Sequence, residues 1–167
     1  MLVGERMSHP VIWLSPETPI HDALVLFKKE RIRRAPIIQD GKMVGIVSDT
    51  DLLNASPSPV STLSVWEINY LLSKVTVKQV MTKKIITVEA NTPIEEAARI
   101  MSDNKIGGLP VMRKGKVVGI ITETDLFKVF LELMGARQKA LRVTVLADDT
   151  AGQLAKITKA IADAGGN

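Results

Sequence analysis

The 167-residue chain has no cysteine, which removes disulfides, thiolate nucleophiles and thiolate metal sites together. A reducing compartment is the matching expectation. Histidine is nearly as scarce, with His9 beside Pro10 and His21 in the first turn of an expected helix. They share no metal-ligand spacing such as His-x-x-x-His. No run approaches the roughly 18 apolar residues of a membrane helix, and the opening MLVGERMSHP has neither an apolar signal core nor a cleavage site. A cytoplasmic protein without a membrane partner is expected. The positive surplus is small, +4 with a pI near 9.4, and its densest piece, Lys28 to Arg34, reads as the charged end of a helix. A nucleic-acid partner is therefore not expected. Glu95-Glu96 reads as first-turn charge, because adjacent helix residues point in different directions. No catalytic constellation emerges, and no enzyme is expected.

An ungapped internal repeat is what the chain does have. Shifted by 74 residues, Met7 to Leu53 superposes on Met81 to Phe127. Thr18-Pro19-Ile20 falls on Thr92-Pro93-Ile94, Pro36 on Pro110, Val44-Gly45-Ile46 on Val118-Gly119-Ile120, and Thr50-Asp51-Leu52 on Thr124-Asp125-Leu126. Two small units of one kind bury apolar faces against each other, so a pseudo-twofold pair is expected.

Both copies read as β-α-β-β-α, an α+β fold. Val11 to Leu14 and Ile85 to Val88 are β-prone runs. Thr18 and Thr92 are N-cap candidates with proline at the first helical position, and Glu95 would complete a capping box with Thr92. The apolar stripes Ile20, Ala23, Leu24, Phe27 and Ile94, Ala97, Ala98, Met101 have the i, i+3, i+4, i+7 spacing of a helix with one buried face. Hairpins follow, turning at Asp40-Gly41 and Lys114-Gly115. A second helix begins at Ser48 or Thr122. In copy one it is cut by Ser56-Pro57-Ser58-Pro59; in copy two it runs to Met134 and stops at Gly135. Val65 to Lys74 reads as an amphipathic helix whose Trp66, Ile68, Tyr70, Leu71 and Leu72 suggest a core-facing side. The expected divisions are 1–55 for copy one, 56–74 for a linker with a helix, 75–135 for copy two and 136–167 for a further segment.

With Gly-Ile-Val-Ser-Asp-Thr-Asp in one copy and Gly-Ile-Ile-Thr-Glu-Thr-Asp in the other, residues 1 to about 135 resemble a tandem CBS domain pair, or Bateman module. The resemblance implies a regulatory module that binds an adenine nucleotide such as AMP, ADP or ATP as a regulatory ligand, with no other cofactor. It implies a homodimer through the CBS pairs and signalling to a partner protein whose identity is open. Ser48 and Asp51, with Thr122 and Asp125, match the family's ribose-holding Ser/Thr-x-x-Asp. An ionised aspartate can accept from both ribose hydroxyls. The same pattern is a helix capping box, and the two roles are compatible. The adenine slot would involve Ile12, Ile32 and Pro36 in copy one and Ile86, Ile106, Gly107 and Pro110 in copy two; these side chains could equally be ordinary core. Arg33 and Arg34 match positions that reach ligand phosphate, where copy two has Gly107-Gly108. Arginine forks suit phosphate oxygens, and glycine leaves room. This favours adenine nucleotides over S-adenosylmethionine, which lacks phosphate; an S-adenosylmethionine or NAD(H) sensor is an alternative. A dimerisation module with empty clefts, or a solvated basic patch, is the competing reading.

The tail from Leu141 onward reads as one strand, a loop at Asp148 to Gly152 and a helix with Leu154, Ile157 and Ile161 on its apolar side. It resembles the opening β-α of an ACT domain, incomplete here. CBS pairs followed by an ACT domain resemble the acetoin utilization accessory proteins.

Overall fold

The computed structural model describes residues 1–55, 64–136 and 141–166, so the Ser56 to Pro59 break lies outside the described residues. The chain forms two compact units, Met1–Met134 and Gly135–Asn167. The first unit holds, in order, α1 (Val3–Arg6), α2 (Ile20–Glu30), β1 (Arg34–Gln39), β2 (Lys42–Ser48) and α3 (Asp49–Asn54). It continues with α4 (Val65–Lys74), α5 (Val77–Val80), β3 (Val88–Glu89), α6 (Ile94–Asn104), β4 (Gly108–Arg113), β5 (Lys116–Thr122) and α7 (Glu123–Leu133). The second unit holds α8 (Gln153–Asp163).

The hairpins match the sequence reading. Asp40 and Gly41 sit at φ 50° and 73°, and Lys114 and Gly115 at 51° and 74°, the paired positive φ that a type I′ turn demands. Each hairpin carries the same register shift, Ile37/Ile38 in copy one and Val111/Met112 in copy two. The first strands are shorter than expected. From Val11 to Leu14 only Leu14 bridges Ile37 in parallel, and from Ile85 to Val88 pairing begins at Val88, opposite Val111. Extending either parallel ladder upstream would need an N–H from Pro36 or Pro110, which proline lacks.

Helices α2 and α6 begin one residue later than their threonines suggest, with Pro19 and Pro93 as N-caps and no side-chain cap. The Thr92–Glu95 capping box does not form. Residues before proline favour extended backbone, and the carbonyls of Thr18 and Thr92 accept instead from Val77 and Val3 N–H, both at 2.9 Å. The stripes face inward as spaced: Ile20, Ala23 and Phe27 are buried with Ile37, Val47 and Leu52, while Ala97 and Met101 are buried with Leu109, Val111 and Ile121. Both helices end in left-handed residues, Arg31 at φ 54° and Lys105 at φ 53°, each turning the chain toward its hairpin.

The copies are laced through each other. Val3, at the start of copy one, is fully buried in the core of copy two, and its repeat equivalent Val77 is fully buried in the core of copy one. Ser8 bridges Ile120 and Thr82 bridges Ile46. Met7 packs on Gly119 and Met81 on Gly45, where an added Cβ would lie 2.9 Å from each methionine Cγ.

In α4 the structure corrects the expected aromatic core, for Trp66 is 85% and Tyr70 63% exposed; the side chains of Ile68, Leu71 and Leu72 lie outside the described residues. In the second unit α8 forms, but the expected strand does not. Residues 141–148 carry no strand hydrogen bonds, and Leu141, Val143, Val145 and Leu146 are exposed. A single strand has no ladder of its own, so the β-pattern stays unpaired.

Candidate functional site

Two clefts lie between the copies, each built around a helix start. Ser48 caps α3, where Asp51 Oδ2 accepts from the Ser48 N–H at 2.8 Å and from its Oγ–H at 2.7 Å. Thr122 caps α7, with Asp125 Oδ2 accepting from the Thr122 N–H at 3.1 Å and Oγ1–H at 2.7 Å. The capping box is therefore formed in both copies, and it holds each carboxylate at a cleft. It uses one oxygen of each. Asp51 Oδ1 accepts from no described residue, whereas Asp125 Oδ1 accepts from Lys128 Nζ at 3.3 Å.

Each cleft draws its walls from both copies. In cleft one, of about 290 Å³, Ser48, Thr50 and Asp51 stand with Ile86, Ile106 and Gly107 of copy two. In cleft two, of about 200 Å³, Thr122, Thr124 and Asp125 stand with Ile32 and Arg33 of copy one. Each cleft thus sets the capping carboxylate of one repeat against isoleucine of the other, while Ile46 and Val47 also line cleft one and Ile120 also lines cleft two. Ile12, Pro36 and Pro110 line neither cleft: Ile12 is half-buried, and the two prolines are fully buried.

Arg34 lines both clefts. Its guanidinium lies where copy two has no side chains, since an added Cβ at Gly107 would come 2.6 Å from Nη2 and one at Gly108 2.7 Å from Nη1. Burial holds this guanidinium below the ordinary arginine value; the Glu123 charge opposes the shift, Arg33 adds to it, and Asp49 opposes it more weakly. Arg33 points only into cleft two, donating from Nη2 to Thr124 Oγ1 at 3.2 Å. The two arginines, adjacent in sequence, do not act on one cleft alone.

Other lining residues escape the motif reading: Thr82, Lys84 and Lys105 in cleft one, and Ser8, Arg31 and Lys128 in cleft two. The repeat carried a signal for some of them. Ser8 aligns with Thr82 and Arg31 with Lys105, so equivalent positions meet equivalent clefts. Among the described residues no cluster of three or more His, Cys, Asp or Glu could hold a metal, and no helix is long and apolar enough to cross a membrane.

The comparisons with known proteins agree with this fold. The CBS domain pair of protein MJ0100, in complex with 5′-methylthioadenosine and S-adenosyl-L-methionine, superposes with a TM-score of 0.67 at 30% identity, covering 80% of this chain and 98% of that one. CBSX2 in complex with AMP gives 0.65 at 31%, over 79% and 97% of the two chains. AcuB from Vibrio cholerae, an acetoin utilization candidate, gives 0.67 at 29%, over 85% and 98%. The CBS domain description matches twice, at residues 3–58 and 77–132, the two laced copies. The chain belongs to the CBS domain family, as a tandem pair.

Proposed function

We propose that this CBS pair is a non-catalytic regulatory module that binds adenine nucleotides in its two clefts and passes their presence to a partner protein. One observation carries the reading: in each cleft a helix-start aspartate of one copy stands with an isoleucine of the other, and Arg34 lines both clefts. A carboxylate oxygen suits ribose hydroxyls, isoleucine suits the adenine face, and a guanidinium suits phosphate. AMP in CBSX2 supports the choice of ligand. The test is a thermal-shift series with AMP, ADP, ATP, NADH and S-adenosylmethionine. Binding to the native state at a hundred times Kd adds about 2.7 kcal/mol of stability and raises the melting temperature. No shift with any of them at millimolar concentration would favour a purely structural module.

A second ligand class has its own support, because the MJ0100 pair holds S-adenosyl-L-methionine and 5′-methylthioadenosine. Neither ligand carries phosphate, so neither would depend on the arginines as AMP does. For the assembly we propose a homodimer through the exposed apolar residues of the second helices. Leu53 and Phe127, exposed at repeat-equivalent positions, would meet their counterparts beside Phe130. For the second unit we propose the opening of an ACT module, on the strength of α8 and the β-patterned residues preceding it.

A further inference from the structure

The clefts share a plan but not a charge. Cleft one sets Lys84, Lys105 and the shared Arg34 against two carboxylates, Asp49 and Asp51. Cleft two sets Arg31, Arg33, Lys128 and the same Arg34 against Asp125 alone. Formal charge is therefore +1 in the first (three minus two) and +3 in the second (four minus one).

Three substitutions between the repeats favour cleft two, and a fourth, Lys84 of cleft one where copy one has Pro10, offsets one of them. Arg33 of copy one is Gly107 in copy two, so only cleft two receives that guanidinium. Lys128 is Asn54 in copy one, so only Asp125 has a cation 3.3 Å from its carboxylate. Asp49 becomes Glu123, which does not line cleft two. An added Cβ at Gly107 would come 2.8 Å from Glu123 Oε2, so that carboxylate lies against a residue of the cleft-one wall. Both acidic positions thus bear on cleft one, and cleft two keeps only its ribose carboxylate.

Resting on the adenosine-ligand reading above, we propose that the clefts take ligands of different charge. The Asp125 cleft selects an adenosine di- or triphosphate, and the Asp51 cleft selects an adenosine ligand with little or no negative charge. Each further phosphate places more negative charge among Arg31, Arg33, Arg34 and Lys128, but in cleft one it meets Asp49. The pair is then filled by two different adenosine compounds together, and its output depends on both.

Calorimetry with adenosine and with ATP on the full chain tests this. Wild-type protein pre-saturated with adenosine should still bind one ATP per chain. Arg33→Ala, at an exposed position whose loss should leave the melting temperature unchanged, should weaken that ATP site by about tenfold and adenosine by less than about twofold. Asp49→Asn should tighten a second, weaker ATP site by roughly fivefold. Equal ATP affinity in both clefts, or equal weakening of ATP and adenosine by Arg33→Ala, would overturn the assignment. Absence of heat with either ligand would instead sink the adenosine reading and carry this one with it; differential effects on two ligands that do bind separate the two failures.

Discussion

Cleft one and cleft two start from the same helix-capping aspartate and end in different electrostatic surroundings. Asp51 leaves an oxygen without a described partner, while Asp125, only 6% exposed, shares its second oxygen with Lys128. The repeat thus preserved the device that is local, a Ser/Thr-x-x-Asp turn held by its own backbone, and diverged in what surrounds it. Divergence costs little there. Arg33 and Lys128 are exposed, and their substitution disturbs no packing, so the clefts could specialise while the two cores stayed alike.

The largest expected effect removes one half of the comparison. Asp125→Ala should abolish binding in cleft two, seen as loss of one site per chain in calorimetry, and Asp51→Ala should do the same for cleft one. Each also loses the reciprocal half of its capping box while Ser48 or Thr122 remains the N-cap, at about 1 kcal/mol in a urea titration. Next comes the element the clefts share. Gly107→Ala would force the Arg34 guanidinium aside, so phosphate-bearing ligands should weaken by about tenfold in both clefts, with adenosine little changed.

A smaller effect separates the two lacing contacts. Gly119→Ala would meet the Ser8 carbonyl at 2.9 Å as well as Met7, whereas the three atoms nearest to a Cβ at Gly45 all belong to the Met81 side chain. Backbone yields less than methionine, so Gly119→Ala should cost about 1–3 kcal/mol by chemical denaturation and Gly45→Ala less. The smallest effect would bring the clefts closer together. Asn54→Lys restores in copy one the cation that copy two places three residues after its aspartate, and should strengthen AMP binding in cleft one by about two- to fivefold. No strengthening would mean that Lys128 serves only to neutralise Asp125.

What could be read from the residues was local in sequence. The hairpin turns required positive φ at two successive residues, the stripes required 3.6-residue spacing, and Ser48 and Thr122 each found an aspartate three residues on. Errors arose where a distant segment competed for the same group. Thr18 and Thr92 look like caps, but their carbonyls bind Val77 and Val3. The β-prone runs Val11 to Leu14 and Ile85 to Val88 were shortened by prolines on the neighbouring strand. Trp66 and Tyr70 look like core in an apolar helix, yet burial depends on what packs against that helix. For the clefts, Ser48, Asp51, Thr122, Asp125, Ile32, Ile86, Ile106, Gly107, Arg33 and Arg34 stand at the cleft walls, but Ile12, Pro36 and Pro110 do not.

The sequence by itself determined that there are two equivalent units, where their longer helices and hairpin turns lie, and that each carries a capping aspartate, because these are properties of neighbouring residues. Only the tertiary structure decided that α1 and α5 exchange cores, that each cleft sets the carboxylate of one copy against isoleucine of the other, and that Arg34 belongs to both. Those relations join residues some 70 to 90 positions apart, such as Val3 with Thr92 and Arg33 with Thr124. No local preference encodes them, and docking two half-exposed cores against each other does.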